Sequence, residues 1–384
     1  TTTTPGPVRR TQRALAPDLT RGAMLLFIAL ANAGNVAFAS QPGFDMTPHG
    51  PGRVLNVLMA VLVDARAYPV FAVMFGYGLV QLSRRLQRDG QDDRRVLVRR
   101  NLALVGFGLA HATLLYFGDF LGAYGIVGLA ATYLLLRRSD RFHRWAFGIW
   151  VAQLAYVGLF AVMAVVAMTH GGDAHPTNSP DPSLAATSYR ASMVDRLHEW
   201  PLHTLTVLPV LLIVWLGIWA ARRRLLEDPT QRPLLRRTAV VCLAVTVLGG
   251  LPYGLATAGW LHVDSAGLGA ITRLHDVSGM YGGPGYVALL ALVALRFGDR
   301  RPAALEAVAC LGRRSMTGYL TQSVVWVLVL SPWALDLGGS AYVALLLAVV
   351  TWLGTVCWSV RMERRDDRGP AERALRRIAY GRAA

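Results

Sequence analysis

Lysine is missing from this 384-residue chain, and all 39 of its Lys/Arg-type residues are arginines. Charge is scarce too, with 16% Asp, Glu, Lys and Arg against 54% hydrophobic residues. That leaves too little polar surface to cover a soluble protein of this length, which excludes the class and points to an integral membrane protein. Cysteine is equally sparse: Cys242, Cys310 and Cys357 lie in or beside apolar runs without CxxC spacing, so neither a disulfide framework nor a thiolate metal site is available. There is no internal repeat at a fixed period and no low-complexity tract beyond the Thr-rich start. A formal charge of +16 would suit a nucleic-acid partner, but the arginines come in short blocks between apolar runs. Such blocks record membrane topology and argue against nucleic acid.

Apolar runs at about 23–39, 54–81, 101–117, 119–136, 145–168, 202–220, 238–260, 278–296, 315–333 and 340–360 predict ten spans, each near the roughly 20 residues a crossing needs. Residues 1–20, with Arg9, Arg10 and Arg13, lack a periodic pattern and read as a mobile cytoplasmic tail. Ala37-Phe38-Ala39 has the form of a signal-peptidase site, yet the segment is expected to stay in the chain as the first span. A cytoplasmic N-terminus puts Arg84–Arg100, Arg137–Arg144, Arg222–Arg237, Arg296–Arg314 and Arg361–Arg382 on one side and leaves only Arg53, Arg190, Arg196 and Arg273 opposite. The asymmetry predicts both termini in the cytoplasm.

The expected organisation is an all-α polytopic membrane domain over 21–362 and a cytoplasmic segment at 363–384. One long extracytoplasmic loop is expected at 169–200. In that loop, Tyr189 to Trp200 suits an amphipathic helix on the outer surface. Gly369-Pro370-Ala371-Glu372 reads as a helix start, with Ala371, Ala374, Leu375 and Ile378 on one face and Arg373, Arg376 and Arg377 beside them, an interfacial helix on anionic lipid. The run 54–81 exceeds one crossing, and a break is expected around Asp64, Arg66 and Tyr68-Pro69, because Pro69 lacks a donor and disfavours helix at Tyr68.

At membrane depth lie Asp64, Arg66, His111, Asp119 and Gln322, with Asp18, Arg21, Asn32, Arg313 and Arg314 near span ends. Ionisable groups there are expensive and mark a functional site by default. Entering from Arg99-Arg100, a helix would bury His111 roughly 15–18 Å deep. A histidine beside an aspartate or arginine suits a general base; the alternative is a neutral histidine bonded between helices. On one helix Asp119 would stand about 12 Å from His111 by rise, too far to pair, so a substrate or Arg66 is expected between them. Arg66 suits a phosphate or carboxylate, or else a salt bridge to Asp64 or Asp119 that only joins helices. Arg313 and Arg314 follow the charge rule and would also suit a cytoplasmic CoA or nucleotide. Seven of nine histidines (His49, His170, His175, His198, His203, His262 and His275) fall in or beside outer loops. His198 and His203, five apart, share no helical face, and no metal is expected. His275-Asp276 stands apart at the mouth of the eighth span.

Several stretches together carry a resemblance: Asp18-x-x-Arg21-Gly22 with Asn32; Arg66 with Phe71 and Phe75-Gly76-x-Gly78; His111 with Gly118-Asp119-x-Leu121-x-x-Tyr124; Gly312-Arg313-x-Ser315-Met316-Thr317-x-Tyr319-x-x-Gln322-Ser323; and Gly369-Pro370-x-Glu372. In this order the chain resembles the YeiB-like bacterial membrane proteins, the domain of unknown function 418, over nearly its whole length. It departs at Arg373, where a tryptophan is common, and at Pro17. The resemblance implies a multi-pass protein of the bacterial cytoplasmic membrane, distantly similar to transmembrane acyltransferases that move an acyl group from cytoplasmic acyl-CoA to a hydroxyl or amine with a histidine as base. Placing that role on His111 is analogy.

Two readings follow. As an acyltransferase, the chain would use His111, Asp119 and Arg66 for catalysis. Asp18, Arg21, Asn32, Asp64, Tyr68, Tyr124, Arg313, Ser315, Tyr319 and Gln322 would bind donor or substrate. Its partners would be membrane lipids, an acyl-CoA donor and a small-molecule, lipid or glycan acceptor, with a homo-oligomer left open. As a permease, the same buried ions would form a site and gate, with moving parts at Tyr68-Pro69 and Gly282-Gly283-Pro284-Gly285.

Overall fold

Among the described residues, apolar runs punctuated by Gly, Pro and arginine blocks fold into sixteen α-helices, and there is no strand beyond one isolated bridge, Ala174–Val263. The computed structural model describes residues 14–298 and 300–381, so most of the expected N-terminal tail, and Arg382, lie outside the described residues. The helices are α1 (Leu15–Ala37), α2 (Pro51–Leu62), α3 (Ala67–Arg88), α4 (Asp93–Leu114), α5 (Leu121–Leu134), α6 (Asp140–Met168), α7 (Pro182–Ala185) and α8 (Tyr189–Val207). They continue with α9 (Leu211–Arg222), α10 (Arg232–Thr257), α11 (Ser265–Gly279), α12 (Gly282–Phe297), α13 (Ala303–Arg313), α14 (Ser315–Leu330), α15 (Ala341–Arg364) and α16 (Pro370–Tyr380).

Among the described residues, seven stretches are long and apolar enough to cross a membrane: Leu15–Ala37, Pro51–Arg88, Asp140–Met168, Tyr189–Arg222, Pro229–Thr257, Ser265–Phe297 and Ala341–Arg364. The other three expected spans coincide with α4, α5 and α14. Helices α5 and α14 are apolar but shorter, and α4 begins with Arg94, Arg95, Arg99 and Arg100. Three of the seven stretches are broken. Pro51–Arg88 breaks at Val63–Arg66, Ser265–Phe297 at Met280-Tyr281, and Tyr189–Arg222 at a 3-10 turn, Leu208–Val210.

The break expected near Tyr68-Pro69 comes slightly earlier. Pro69 sits in the first turn of α3, where a missing N–H leaves no helical bond unmade. Ala65 instead turns the chain, with a left-handed φ of 59° that non-glycine residues rarely adopt.

Two further expectations need correction. Residues 15–20 are not tail: α1 starts at Leu15, and Leu15, Ala16 and Leu19 are buried. Periodicity missed this because α1 meets α13 by close backbone approach: a Cβ at Gly22 would overlap the Val308 carbonyl, and one at Gly312 the Asp18 carbonyl. Nor does Tyr189–Trp200 form a helix of its own. It opens α8, which runs on towards α9, and Arg196 is buried with its guanidinium donating to Ser192 Oγ at 2.7 Å and the Thr113 carbonyl at 3.4 Å.

The central packing follows the same logic. A Cβ at Gly76 of α3 would overlap the Val214 carbonyl of α9, and one at Gly217 of α9 the Val73 carbonyl of α3. Small residues thus bring α3 and α9 into direct backbone contact, and Val70, Val73, Val214 and Ile218 form the core around the crossing.

Candidate functional site

His111 closes α4, where the N–H groups of both Leu115 and Tyr116 bond its carbonyl at 2.8 and 3.1 Å. The chain then folds back before α5, and Asp119 Oδ2 accepts the Gly122 N–H at 2.7 Å in the first turn of that helix. A Cβ at Gly108 would overlap the Gly122 nitrogen, so glycine lets the start of α5 press against α4 one turn before His111. This fold-back brings Asp119 Oδ1 to 2.9 Å from His111 Nδ1, with both side chains fully buried. The sequence-based distance of about 12 Å is therefore corrected: it assumed a continuous helix. At that distance there is no room for Arg66 between them, and its guanidinium is bonded elsewhere.

The contact is a close approach of charge and ring rather than an aligned hydrogen bond, since neither atom meets bonding geometry. It still orients the imidazole: an unprotonated Nδ1 would set its lone pair against the carboxylate, so the proton belongs on Nδ1. Nε2 is then the acceptor, and Ser323 Oγ of α14 lies 2.8 Å from it. Ser323 belongs to the Gly312–Ser323 stretch but is not among the site residues expected from sequence. Nothing in the sequence could place it opposite His111 from 212 positions away.

Two cavities approach this layer from opposite ends of the bundle. The one toward the arginine-rich ends, about 460 Å³, is lined by Arg21, Arg85, Arg100, Arg313, Ser315, Tyr124, Tyr319, Phe71 and Phe75, with Glu372 at its rim. The other, about 510 Å³, is lined by Asn32, Asn35, Gln41, Asp64, Tyr116, His203, Tyr253, His275 and Asp276. They share Ile28, Tyr68 and Phe120, which form a common wall. Tyr68 and Phe120 stack at 5.5 Å, and Tyr124 donates from its hydroxyl to the Tyr68 carbonyl at 2.7 Å. Tyr319 lines the arginine-rich cavity and lays its ring against His111, centroids 4.9 Å apart.

Residues 220–382 match a family described as "Protein of unknown function (DUF418)". The match covers less than half of the chain. It is also similar to the uncharacterized protein YeiB of Escherichia coli strain K12, 24% identical over 96% of both chains. A second relative is the uncharacterized protein YxaH of Bacillus subtilis strain 168, 21% identical over 84% of this chain and 81% of that one. A third, an uncharacterized 39.9 kDa protein in an amylase 3′ region of Bacillus acidopullulyticus, is 30% identical over 32% of this chain and 34% of that one. The resemblance to YeiB-like proteins is thus borne out, as is the all-helical membrane architecture. The DUF418 region contains Ser323, Tyr319, Arg313 and His275. His111, Asp119 and Arg66 lie before it, so the histidine layer is assembled across the boundary of the matched region.

Arg66 is placed elsewhere. It is fully buried and lines neither cavity, and its expected salt bridge to Asp64 or Asp119 is absent among the described ion pairs. Its Nη1 instead donates to the Asp64 carbonyl at 2.6 Å and lies 2.9 and 3.0 Å from the two ring nitrogens of His275. Its Nη2 reaches the Thr246 carbonyl at 3.4 Å. Glycines make the room: a Cβ at Gly250 or Gly282 would crowd the Arg66 side chain. Sequence reading set His275 apart without a partner, and the Arg66 contact supplies one.

The remaining candidates divide. Arg21, Tyr124, Arg313, Ser315 and Tyr319 line the arginine-rich cavity, Asn32 and Asp64 the opposite one, and Tyr68 both. Arg313 is tied to Glu306 at 2.8 Å, Glu363 at 3.1 Å and Asp18 at 3.8 Å, and Asp18 also lies 3.9 Å from Arg21. Gln322 is buried beside Ser323 with neither amide atom bonded. Glu372 of α16 accepts from the main-chain N–H groups of Met316 and Thr317 at 2.9 and 3.1 Å and pairs with the Thr317 hydroxyl. Burial holds its carboxyl above the usual range.

Proposed function

We propose that the protein is a membrane acyltransferase that takes an acyl group from a cytoplasmic acyl-CoA and delivers it to a hydroxyl or amine acceptor on a glycan, lipid or small metabolite. The observation that carries this reading is the pair of opposed cavities meeting at Ile28, Tyr68 and Phe120, with the His111–Asp119 pair directly behind Tyr319. One cavity is basic at its rim and aromatic within, as a phosphate-bearing thioester requires. The other offers carboxylates, amides and imidazoles suited to a polar acceptor.

In this reading Asp119 keeps the proton of His111 on Nδ1, so Nε2 is the base. Ser323 Oγ marks where a hydroxyl meets that lone pair. The acceptor O–H or N–H gives its proton to Nε2 as its heteroatom bonds the acyl carbon. The carbon–sulfur bond breaks, and the imidazolium returns the proton to the departing thiolate. Tyr319 is the side chain that must move to open His111 to the donor cavity. Arg66 carries no part of this chemistry and acts as a buried cross-link among helices.

One observation favours transport instead. The wall residue Tyr68 sits between two broken spans: its hydroxyl donates to Met280 Sδ at 3.2 Å, and a Cβ at Gly279 would stand 2.8 Å from the Ala65 carbonyl. Hinging there would join the two cavities. Release of free CoA from acetyl-CoA by the protein in nanodiscs, with a lipid and cell-wall extract as acceptor pool, separates the readings. Release that is lost in His111→Ala supports acyl transfer. Absence of both release and donor binding sinks acetyl-CoA as donor and favours the permease.

A further inference from the structure

Apart from the two cavities described above, an apolar slot of about 260 Å³ opens between α6, α9, α10 and α12, walled by Phe147, Trp150, Leu216, Trp219, Val241 and Val287. It shares no lining residue with either cavity of the candidate site. Helix α6 is the least buried of the seven membrane-length stretches, so the slot borders the bilayer. Trp219, stacked on Phe147 at 5.1 Å, also lines a second cavity of about 360 Å³ at the arginine-rich ends of the same helices.

That second cavity gathers Arg84, Arg144, Arg222 and Arg223 around one carboxylate, Asp140. Arg222 takes Asp140 at 2.7 Å, and Arg84 is spent on the carbonyls of Ala221 and Arg222, both at 3.1 Å. Arg144 forms no ion pair among the described residues, and Arg223 only overlies the Trp219 ring at 4.9 Å. His143, 3% exposed, completes the lining. Its Nδ1 accepts the Trp215 indole N–H at 2.9 Å, which puts the ring proton on Nε2. Nε2 is buried without an aligned hydrogen bond, although the Arg138 carbonyl lies close enough to act on the ring. A buried donor so poorly met is costly, and four guanidinium groups around one carboxylate are an unbalanced charge.

We infer that this pair of cavities binds one anionic phospholipid from the arginine-rich side of the membrane. Its phosphate rests on Arg144, Arg223 and the His143 Nε2–H, and one acyl chain fills the slot beyond Trp219. The chemistry recognised is a phosphate monoanion attached to an apolar chain, and the site stands independently of the acyl-transfer reading. The slot supplies the argument for a lipid over a soluble anion: it leads from the cations along α6 into the bilayer, and its walls are apolar.

The test reconstitutes the full chain in nanodiscs of equal phosphatidylglycerol and phosphatidylcholine and measures, by native mass spectrometry, the lipid that stays bound. Phosphatidylglycerol should be retained about tenfold over phosphatidylcholine, and the double variant Arg144→Gln with Arg223→Gln should lose that preference. Both arginines are exposed, so the variant should unfold at the wild-type temperature in phosphatidylcholine alone. Equal retention of the two lipids, or a preference unchanged in the double variant, overturns the inference. A parallel arm adds inorganic phosphate or glycerol 3-phosphate in phosphatidylcholine discs. Stabilisation matching that from phosphatidylglycerol would make this a soluble-anion site and overturn the lipid assignment; weak or no stabilisation supports it.

Discussion

Asp119 performs two tasks with its two oxygens, and substitution separates them. Oδ2 holds the Gly122 N–H at 2.7 Å in the first turn of α5, while Oδ1 faces His111 Nδ1 at 2.9 Å. Asp119→Ala removes both. The lost helix-start acceptor costs about 1 kcal/mol, and a buried His111 N–H left without its carboxylate about 1–3 kcal/mol more, so a loss of about 2–4 kcal/mol is expected. Asp119→Asn keeps an oxygen for Gly122 and offers an amide N–H₂ to the imidazole. His111 then accepts at Nδ1 and donates from Nε2 to Ser323, leaving stability within about 1 kcal/mol of wild type. The same tautomer reversal removes the base, so any His111-dependent acyl transfer should fall by a factor on the order of 10⁴. Equilibrium unfolding in mixed detergent and SDS micelles, run beside the CoA-release assay, reads both quantities. If Ala and Asn variants lose equal stability, or if the Asn variant keeps full activity, Asp119 does not orient His111 and the site assignment fails.

Other expected outcomes are simpler. Replacing Glu372 by Ala removes the acceptor for the Met316 and Thr317 N–H groups, and hydrogen exchange over 370–380 should accelerate at least about tenfold if that cap is what docks α16. Burial, with repulsion from Glu199 added, pushes the Asp181 carboxyl up from 3.8 to about 6. A folded value raised in this way favours the fold fully below 3.8, and that contribution is lost as pH rises through about 6; Asp181→Asn should flatten stability against pH across this window and be the more stable protein at pH 7. Gly217→Ala, whose Cβ would overlap the Val73 carbonyl, should cost about 1–3 kcal/mol or more. In contrast, Gly158→Ala on exposed α6, with nothing within 4 Å, should gain up to about 1 kcal/mol of helix propensity, as the same unfolding assay would show.

The helices were legible because lipid-facing surface leaves a direct record in sequence: long apolar runs and arginine blocks place nearly every element. The break at Val63–Arg66 was legible from its polar residues and Pro69, with an offset because proline marks the first turn of the new helix rather than the gap itself. The beginning of α1 was illegible, since its burial depends on the Gly22–Gly312 approach and leaves no apolar period. Within the site, His111, Asp119 and Tyr319 stood out as ionisable or polar residues in apolar surroundings. Their geometry did not, because a six-residue fold-back between α4 and α5, residues 115–120, turns a long separation by rise into a contact. His111–Ser323 and Arg66–His275 are tertiary pairings whose partners lie far apart in the chain.

The most direct test of the central claim is a sided one. Proteoliposomes with uniform orientation receive radiolabelled acetyl-CoA on the face carrying Arg85 and Arg313, with the acceptor extract sealed on the other face. Acyl transfer between opposed cavities should attach label covalently to an acceptor on the far side, and His111→Ala and Asp119→Asn should both abolish it. Acceptor molecules crossing unlabelled, or label appearing equally with both variants, would contradict the account.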